Sequence, residues 1–259
     1  MSITADAVAF APGDGVLLIG HGTRDTTGTQ QFFELGERLA ERLAPLPVES
    51  CLLELQSPNI QEGWLRLKAR GVRRVLASPL LLFSAGHARS DIPDALDRCH
   101  RNSPEMTWRQ SRPLSRTPEL LQLVLKRLDE SLHQATAPPD RVALLMVGRG
   151  SFDPCAQADM KCLTHWVAGR REAASVAVAF YAMAHPPLPV ALRRLAAERA
   201  TASLIIQPHL LFEGSLYQAI LKQVKQVAAE FPDKQFIVSH YLGPEPEVVD
   251  ALTRRLTAF

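Results

Sequence analysis

The chain has 259 residues, of which 46% are hydrophobic and 22% charged, which is typical of a folded globular protein long enough for two domains and excludes disordered and fibrous classes. Basic and acidic residues balance in each half, at 16 against 16 up to residue 134 and 13 against 11 beyond it, so we expect no nucleic-acid partner. No leader pattern and no run of about 18 apolar residues is present, so we expect a cytoplasmic protein with no membrane partner.

Apolar stretches in the first half alternate with segments of helical periodicity, a pattern typical of a parallel α/β sheet. The predicted strands cover residues 16–20, 48–55, 75–83 and 106–110. Each is followed by a predicted helix start, which we place at Thr26 or Thr27, at Ser57 with Pro58, at Ser90 or Asp91, and at Thr117 with Pro118. The first half is therefore predicted to contain four strand–helix pairs.

After a proline-containing linker at residues 134–139, the same pattern begins again. The GHGT sequence that starts at Gly20 is matched by GRGS starting at Gly148, 128 residues later, and PLLLF at 79–83 is matched by PHLLF at 208–212. We therefore predict an internal duplication of two similar (βα)4 lobes with parallel sheets, covering residues 1–134 and 140–259. The two lobes are expected to face each other across a cleft.

Three groups that bind metals or accept protons follow predicted strands of the first lobe. His21 follows the first strand, Glu54 lies at the end of the second, and His87 follows the third. Since the carboxyl ends of parallel strands share one edge of a sheet, we expect these groups to meet around one ligand. Each has an ordinary structural alternative, a loop histidine beside glycines or a glutamate ending its strand in water, and the convergence of all three favours function.

The duplication provides a comparison inside the chain. The second half has Arg149 in place of His21, and we match Glu54 with Met183 and His87 with Ser215. A fold requirement would have kept the original residues, so the first lobe is predicted to hold the reactive groups and the second to hold the substrate.

The glycine-flanked turn at Arg149 and Ser151 precedes a predicted helix and suits an anionic group, although an exposed arginine in a tight turn is the alternative. Histidines at 100, 133, 165, 185, 209 and 240 share no close spacing, so we expect packing, exposed or capping roles. The four cysteines are expected to be reduced and mostly packed. No nucleotide-binding P-loop, dinucleotide fingerprint or hydrolase elbow is present, which disfavours ATP-driven, dinucleotide redox and hydrolase chemistry.

At these positions the sequence resembles the class II tetrapyrrole chelatases, specifically the long, two-lobed sirohydrochlorin chelatases. The similarity rests on the ordered set GHGTRD from Gly20, Glu54 before the SPNI sequence, Gly86-His87 before DIP, and GRGSFDP from Gly148. It extends over nearly the whole chain.

The resemblance implies insertion of Co²⁺ or Fe²⁺ into sirohydrochlorin without ATP, in cobalamin or sirohaem biosynthesis. Cobalt is favoured over iron, and nickel is left open. The metal is then a substrate, with no tightly bound cofactor and no iron–sulfur cluster, and a monomer is expected because one chain supplies both lobes. The residues expected to act in catalysis and metal binding are His21, His87 and Glu54, and those expected to bind the substrate's carboxylates are Arg149, Ser151, Ser84, Gly86 and Thr23.

Two alternatives remain at this point. A non-catalytic carrier of tetrapyrrole or metal would use the same residues, and turnover separates it from an enzyme. A histidine phosphatase is suggested by the GHGT sequence, but the residue before His21 is Gly20, where that class has an arginine for the phosphoryl group.

Overall fold

The computed structural model describes residues 10–83 and 87–258, which form two compact α/β units. The elements of the first half are β1 (Asp14–Gly20), α1 (Thr26–Leu43), β2 (Val48–Leu52), α2 (Ile60–Ala69), β3 (Arg74–Pro79), a π-helical turn (His87–Asp91), α3 (Ile92–Asn102), β4 (Thr107–Gln110) and α4 (Pro118–Leu132). Those of the second half are a 3-10 turn (Pro139–Arg141), β5 (Val142–Gly148), α5 (Pro154–Ala168), β6 (Ser175–Phe180), α6 (Leu188–Ala197), β7 (Ser203–Pro208), α7 (Ser215–Ala228), β8 (Gln235–Val238) and α8 (Pro246–Leu256).

The two sheets have the same topology. All strands are parallel, in the order β2-β1-β3-β4 in the first sheet and β6-β5-β7-β8 in the second. Repeated strand–helix units and a repeated strand order confirm the predicted fold class with its internal duplication.

Helices cover both faces of the first sheet, which explains why β1 is buried along its whole length. Leu17 packs in a cluster with Trp64 and Leu67 of α2. On the opposite face, Gly36 of α1 lies against Leu18, since a Cβ added at this glycine would be 3.6 Å from the leucine side chain. Burial of both faces leaves the ends of the strands as the place for polar chemistry.

Two predicted strands are longer than those observed. Residues 48–55 and 75–83 were predicted because their apolar residues continue, but β2 ends at Leu52 and β3 at Pro79. Leu55 has a φ of 74°, a left-handed conformation that a strand does not accommodate. Glu54 consequently lies in the loop after β2 and not in the strand itself.

Two predicted helix caps were also displaced along the chain. Asp25, and not Thr26 or Thr27, caps α1 by accepting a 2.8 Å hydrogen bond from the Gly28 N–H. Asn59, and not Ser57, caps α2 and forms a reciprocal capping box with Glu62. Both observed caps accept from an N–H of the first turn, the role for which short polar side chains are preferred.

The two compact units do not end at the predicted boundaries, residues 134 and 140. Helix α4 belongs to the second unit and α8 to the first, so each half of the chain gives its last helix to the other unit. The second unit is Pro118–Glu247, and α8 from Val248 onward belongs with the residues up to Thr117. In the second unit, the buried Arg127 of α4 donates to the Tyr241 carbonyl at 3.0 Å. In the first unit, Asp250 of α8 pairs with Arg42 at 3.4 Å. Each sheet is thus packed with a helix that follows the other sheet in sequence.

All four cysteines are free thiols, as expected, but Cys155 and Cys162 are exposed and only Cys51 and Cys99 are buried. Across the described part of the chain, no helix combines the length and the apolar character needed to span a membrane.

Candidate functional site

The neighbouring strands β1 and β2 bring His21 and Glu54 together. Gly20 pairs with Leu52 at the carboxyl end of these strands, and the loops continue the pairing because the Glu54 N–H donates to the His21 carbonyl at 3.2 Å. Backbone pairing therefore holds the two predicted site residues side by side before their side chains make any contact.

The two side chains form a partly exposed pair. His21 Nδ1 lies 3.5 Å from Glu54 Oε1 and 3.1 Å from the Gly22 carbonyl oxygen. With the proton on Nδ1, the imidazole donates to the Gly22 carbonyl, and the lone pair of the neutral ring is then on Nε2. Side-chain exposures of 32% for His21 and 49% for Glu54 leave the pair accessible to a ligand.

Gly22 makes the close approach of the two loops possible. Its φ is 99°, and a Cβ added there would come within 2.1 Å of the Glu54 carbonyl oxygen. A larger residue would have to move the loop that carries Glu54, so the glycine sets the separation of the two site residues.

The remaining predicted groups near β3 are not all described. The side chain of His87 lies outside the described part of the chain, as do Ser84 and Gly86. The backbone places His87 at the start of the π-helical turn, in the connection that follows β3, and β3 pairs with β1 on the side opposite β2. Within the described residues, no three His, Cys, Asp or Glu side chains gather closely enough to hold a metal ion.

Glu54 also lines a surface cavity of about 320 Å³, together with charged residues of α3 and of the turn before it. Asp91, Asp94 and Arg98 face this cavity. Asp94 and Arg98 were not predicted as site residues, although their spacing from Asp91 places all three on one helical face. Among the lining residues that the structure describes, three carboxylates against one guanidinium give a negative charge.

The second unit repeats the turn without the acid and base groups. Ser151 Oγ accepts from the Asp153 N–H at 3.0 Å, just as Thr23 Oγ1 accepts from the Asp25 N–H at 3.1 Å. The Arg149 side chain is exposed. The turn therefore offers a guanidinium and a hydroxyl at the carboxyl end of β5.

One predicted correspondence between the copies was wrong. The Ala182 N–H donates to the Arg149 carbonyl at 3.0 Å, which is the bond that Glu54 makes to His21. Ala182 is therefore the counterpart of Glu54, and Met183 is the counterpart of Leu55, with which it shares a positive φ. Glu54 and Ala182 are 128 residues apart, as Gly20 and Gly148 are, so the extra residue that separates Pro79 from Pro208 lies later in the chain.

Exposed apolar side chains also lie beyond the carboxyl ends of strands. Leu55 follows β2 and is 54% exposed, Phe152 follows β5 and is 82% exposed, and Met183 follows β6 and is 38% exposed. Each of the three therefore lies at the carboxyl edge of its own sheet, the edge that carries His21 and Glu54 in the first unit.

Among the histidines whose side chains the structure describes, His209 is the buried one, and it lies directly after β7. Burial lowers its pKa from 6.5 to about 4, so it is neutral at physiological pH. Leu80 occupies the same place in the first unit, since the Leu80 and His209 N–H groups both donate at 2.8 Å to the central strand of their sheet.

The fold and the site define a duplicated α/β protein with a histidine–glutamate pair at the carboxyl edge of one of its two sheets. The chain belongs to the CbiX family, whose model matches it twice, over residues 15–131 and 143–258. The double match confirms the resemblance drawn from the motifs.

Curated relatives and a solved structure agree with this family. The chain is 28% identical to the sirohydrochlorin cobaltochelatase of Priestia megaterium, over 93% of this chain and 78% of the relative. It is 30% identical to the sirohydrochlorin ferrochelatase of the same organism, over 89% of this chain and 84% of the relative. SirB from Bacillus subtilis with Fe³⁺ is 26% identical and superposes with a TM-score of 0.84 over 95% of both chains.

Proposed function

We propose that this chain is a sirohydrochlorin chelatase, a lyase that inserts a divalent metal ion into sirohydrochlorin without ATP. The observation that supports this most directly is the His21–Glu54 pair, 3.5 Å apart in the first copy of a twice-matched CbiX sequence. Relatives that align over most of their length carry the names of this activity for cobalt and for iron.

The pair suits the chemistry of metallation. Insertion replaces two ring N–H protons with one divalent ion, so the site must pass on a metal and accept protons. His21 Nε2 provides a lone pair for either task when Nδ1 carries the proton, and the Glu54 carboxylate adds negative charge beside it. We propose that His87 provides the third group, as the sequence analysis predicted.

The acidic cavity at Glu54 supports access by a cation. Asp91 and Asp94 add carboxylates to its wall, and a negative lining raises the local concentration of a divalent ion. The metal is a substrate that passes through this region and leaves in the ring.

We propose that the turn at Arg149 and Ser151 binds carboxylates of the macrocycle. A guanidinium and a hydroxyl both donate to such groups, and arginine does so with two parallel hydrogen bonds. Thr23 is proposed for the same role, and Ser84 and Gly86 remain predictions. The exposed Phe152, which follows Ser151 directly, suits contact with the apolar part of the ring.

Cobalt is our first proposal for the metal and iron the second, and the names of the two Priestia megaterium relatives cover both. We also propose a monomer, because the duplication places both lobes in one chain.

Anaerobic visible absorbance tests the function directly. Catalytic amounts of protein are mixed with sirohydrochlorin and excess Co²⁺ or Fe²⁺, beside protein-free controls. We expect the free-ring bands to disappear over many turnovers, faster with the physiological metal. Conversion that stops at one equivalent of ring per protein would show a carrier and overturn the enzymatic proposal.

A further inference from the structure

The side chain of Gln56 ties together the two loops that carry His21 and Glu54. It lies two residues after Glu54 and is partly buried. Its Nε2 donates to the Thr23 carbonyl, in the loop after β1, and to Thr29 Oγ1 in α1 at 3.2 Å. The loop after β2 is therefore fixed to the loop after β1 on the far side of Gly22.

The second unit satisfies the equivalent carbonyl differently. Ser151 corresponds to Thr23, and its carbonyl accepts a 2.8 Å hydrogen bond from Gln157 Nε2. Gln157 lies on α5, the helix that follows the same loop, at the place that Thr29 has in α1. The position of Gln56 is taken by Ala184, whose methyl group donates nothing.

A comparison of the two copies distinguishes two roles of a glutamine amide, satisfying the carbonyl and fixing one loop to the other. A local amide from the following helix is sufficient to satisfy the carbonyl, as Gln157 shows. An amide from the neighbouring loop does this and also fixes one loop relative to the other. The first copy, which has the histidine–glutamate pair, uses the amide from the neighbouring loop. The second copy, with Arg149 and Ala182, uses the local amide.

We infer that Gln56 is a positioning residue that holds Glu54 in register with His21 for binding the incoming metal ion. The inference rests on the proposed function, because it takes His21 and Glu54 as groups that bind the metal. Gln56 acts through the backbone of the two loops and does not itself ligate the ion.

Three variants of the full chain test this inference. Gln56→Ala removes the tie. Thr29→Gln added to Gln56→Ala supplies a local amide in the arrangement of the second unit. Gln157→Ala removes the local amide there and serves as the matched control. Each is titrated with Co²⁺ alone by calorimetry, and its thermal midpoint and its KM for Co²⁺ in the metallation assay are measured.

We expect Gln56→Ala to weaken Co²⁺ binding about tenfold and to raise the KM for Co²⁺ similarly, since misplaced ligand groups lose affinity at this scale. The double variant should regain thermal stability without regaining Co²⁺ affinity. Gln157→Ala should lose thermal stability while its Co²⁺ affinity stays within twofold of wild type.

A double variant that regains wild-type Co²⁺ affinity would overturn the inference, because a local amide would then be enough. Unchanged Co²⁺ affinity in Gln56→Ala would overturn it too, provided that His21→Ala, titrated alongside, loses Co²⁺ binding. If His21→Ala itself binds Co²⁺ as wild type does, the metal-binding role of His21 in the proposed function fails first, and the inference fails with it.

Discussion

The effect of the negative charge of Glu54 can be tested separately from the effect of the volume of its side chain. Gln replaces it with nearly the same volume and removes the negative charge 3.5 Å from His21. We expect Glu54→Gln to lower kcat/KM for the metal by about tenfold to a hundredfold. Steady-state metallation at varied Co²⁺ measures this, with Glu172→Gln, an exposed site in the second unit, as the control. Equal rates in the two variants would contradict a role for the Glu54 carboxylate.

His209 is expected to make the second unit sensitive to acid. Its pKa is lowered from 6.5 to about 4 by burial, so the unfolded chain takes up a proton more readily than the folded one below pH 6.5. The contribution of neutral His209 to the free energy of unfolding is therefore fully present above pH 6.5. It falls as the pH drops toward 4, by about 2 kcal/mol between pH 7 and pH 5.

His209→Leu, which copies Leu80 of the first unit, should remove this part of the pH dependence. Urea unfolding at pH 7 and pH 5 measures it, and the readout is the difference between the two pH values, so a change in packing at both values does not affect it. A variant that loses as much stability as wild type between pH 7 and pH 5 would contradict the account.

Single residues were predicted where they follow a repeated local motif. His21 and Arg149 were predicted because short, similar sequences follow buried strands, and Glu54 because it lies at the end of an apolar stretch. Gln56 was missed because its partners at Thr23 and Thr29 lie in another loop, and spacing along the chain says nothing about such a contact. Met183 was matched with Glu54 because the offset between the two copies changes by one residue along the chain, and sequence alone does not show where the extra residue lies.

At the scale of elements, the turns after β1 and β5 depend on glycines that lie against a neighbouring loop. A Cβ at Gly22 would meet the Glu54 carbonyl oxygen at 2.1 Å, and one at Gly150 would meet that of Ala182 at 1.6 Å. Gly71 also has a positive φ but nothing within 4 Å of the added Cβ, so it isolates the conformational cost.

Alanine at Gly22 or Gly150 should cost about 2–4 kcal/mol of unfolding free energy, since it combines backbone strain with a clash. Alanine at Gly71 should cost about 1 kcal/mol from conformation alone. Equilibrium urea unfolding of the three variants provides the values. Equal losses at all three positions would show that the loop contact adds nothing.

Elements were predicted in type and order, but several of their ends differ from those observed. Apolar residues continue beyond the ends of β2 and β3, so the apolar pattern of the sequence does not show at which residue each strand ends. The left-handed Leu55 ends the pairing in a way that its residue type does not suggest.

At the scale of the whole molecule, the sequence predicted the duplication but not the exchange of α4 and α8. An amphipathic helix shows that one face is buried, and both sheets of a duplicated chain offer a similar surface to cover. The choice is made by contacts distant in sequence, such as Ser131 Oγ with Ser239 Oγ at 2.7 Å and Arg171 with Asp129 at 2.6 Å.

The exchange makes a prediction for fragments. A fragment of residues 118–247 contains every element of the second unit, whereas one of residues 140–259 lacks α4 and ends in a helix of the other unit. We expect the first fragment to melt cooperatively and the second to melt broadly or to aggregate. Circular dichroism melting compares them, and a more stable 140–259 fragment would contradict the unit boundaries.

We propose that the two copies have different roles, the first carrying the reactive groups and the second binding the macrocycle. Steady-state metallation by His21→Ala and Arg149→Ala, measured side by side at varied sirohydrochlorin, tests it most directly. His21→Ala should lower kcat by about a hundredfold or more with little change in KM for the ring, and Arg149→Ala should raise that KM about tenfold while keeping most of kcat. The reverse pattern, a collapse of kcat in Arg149→Ala and a mere loss of ring affinity in His21→Ala, would contradict the account.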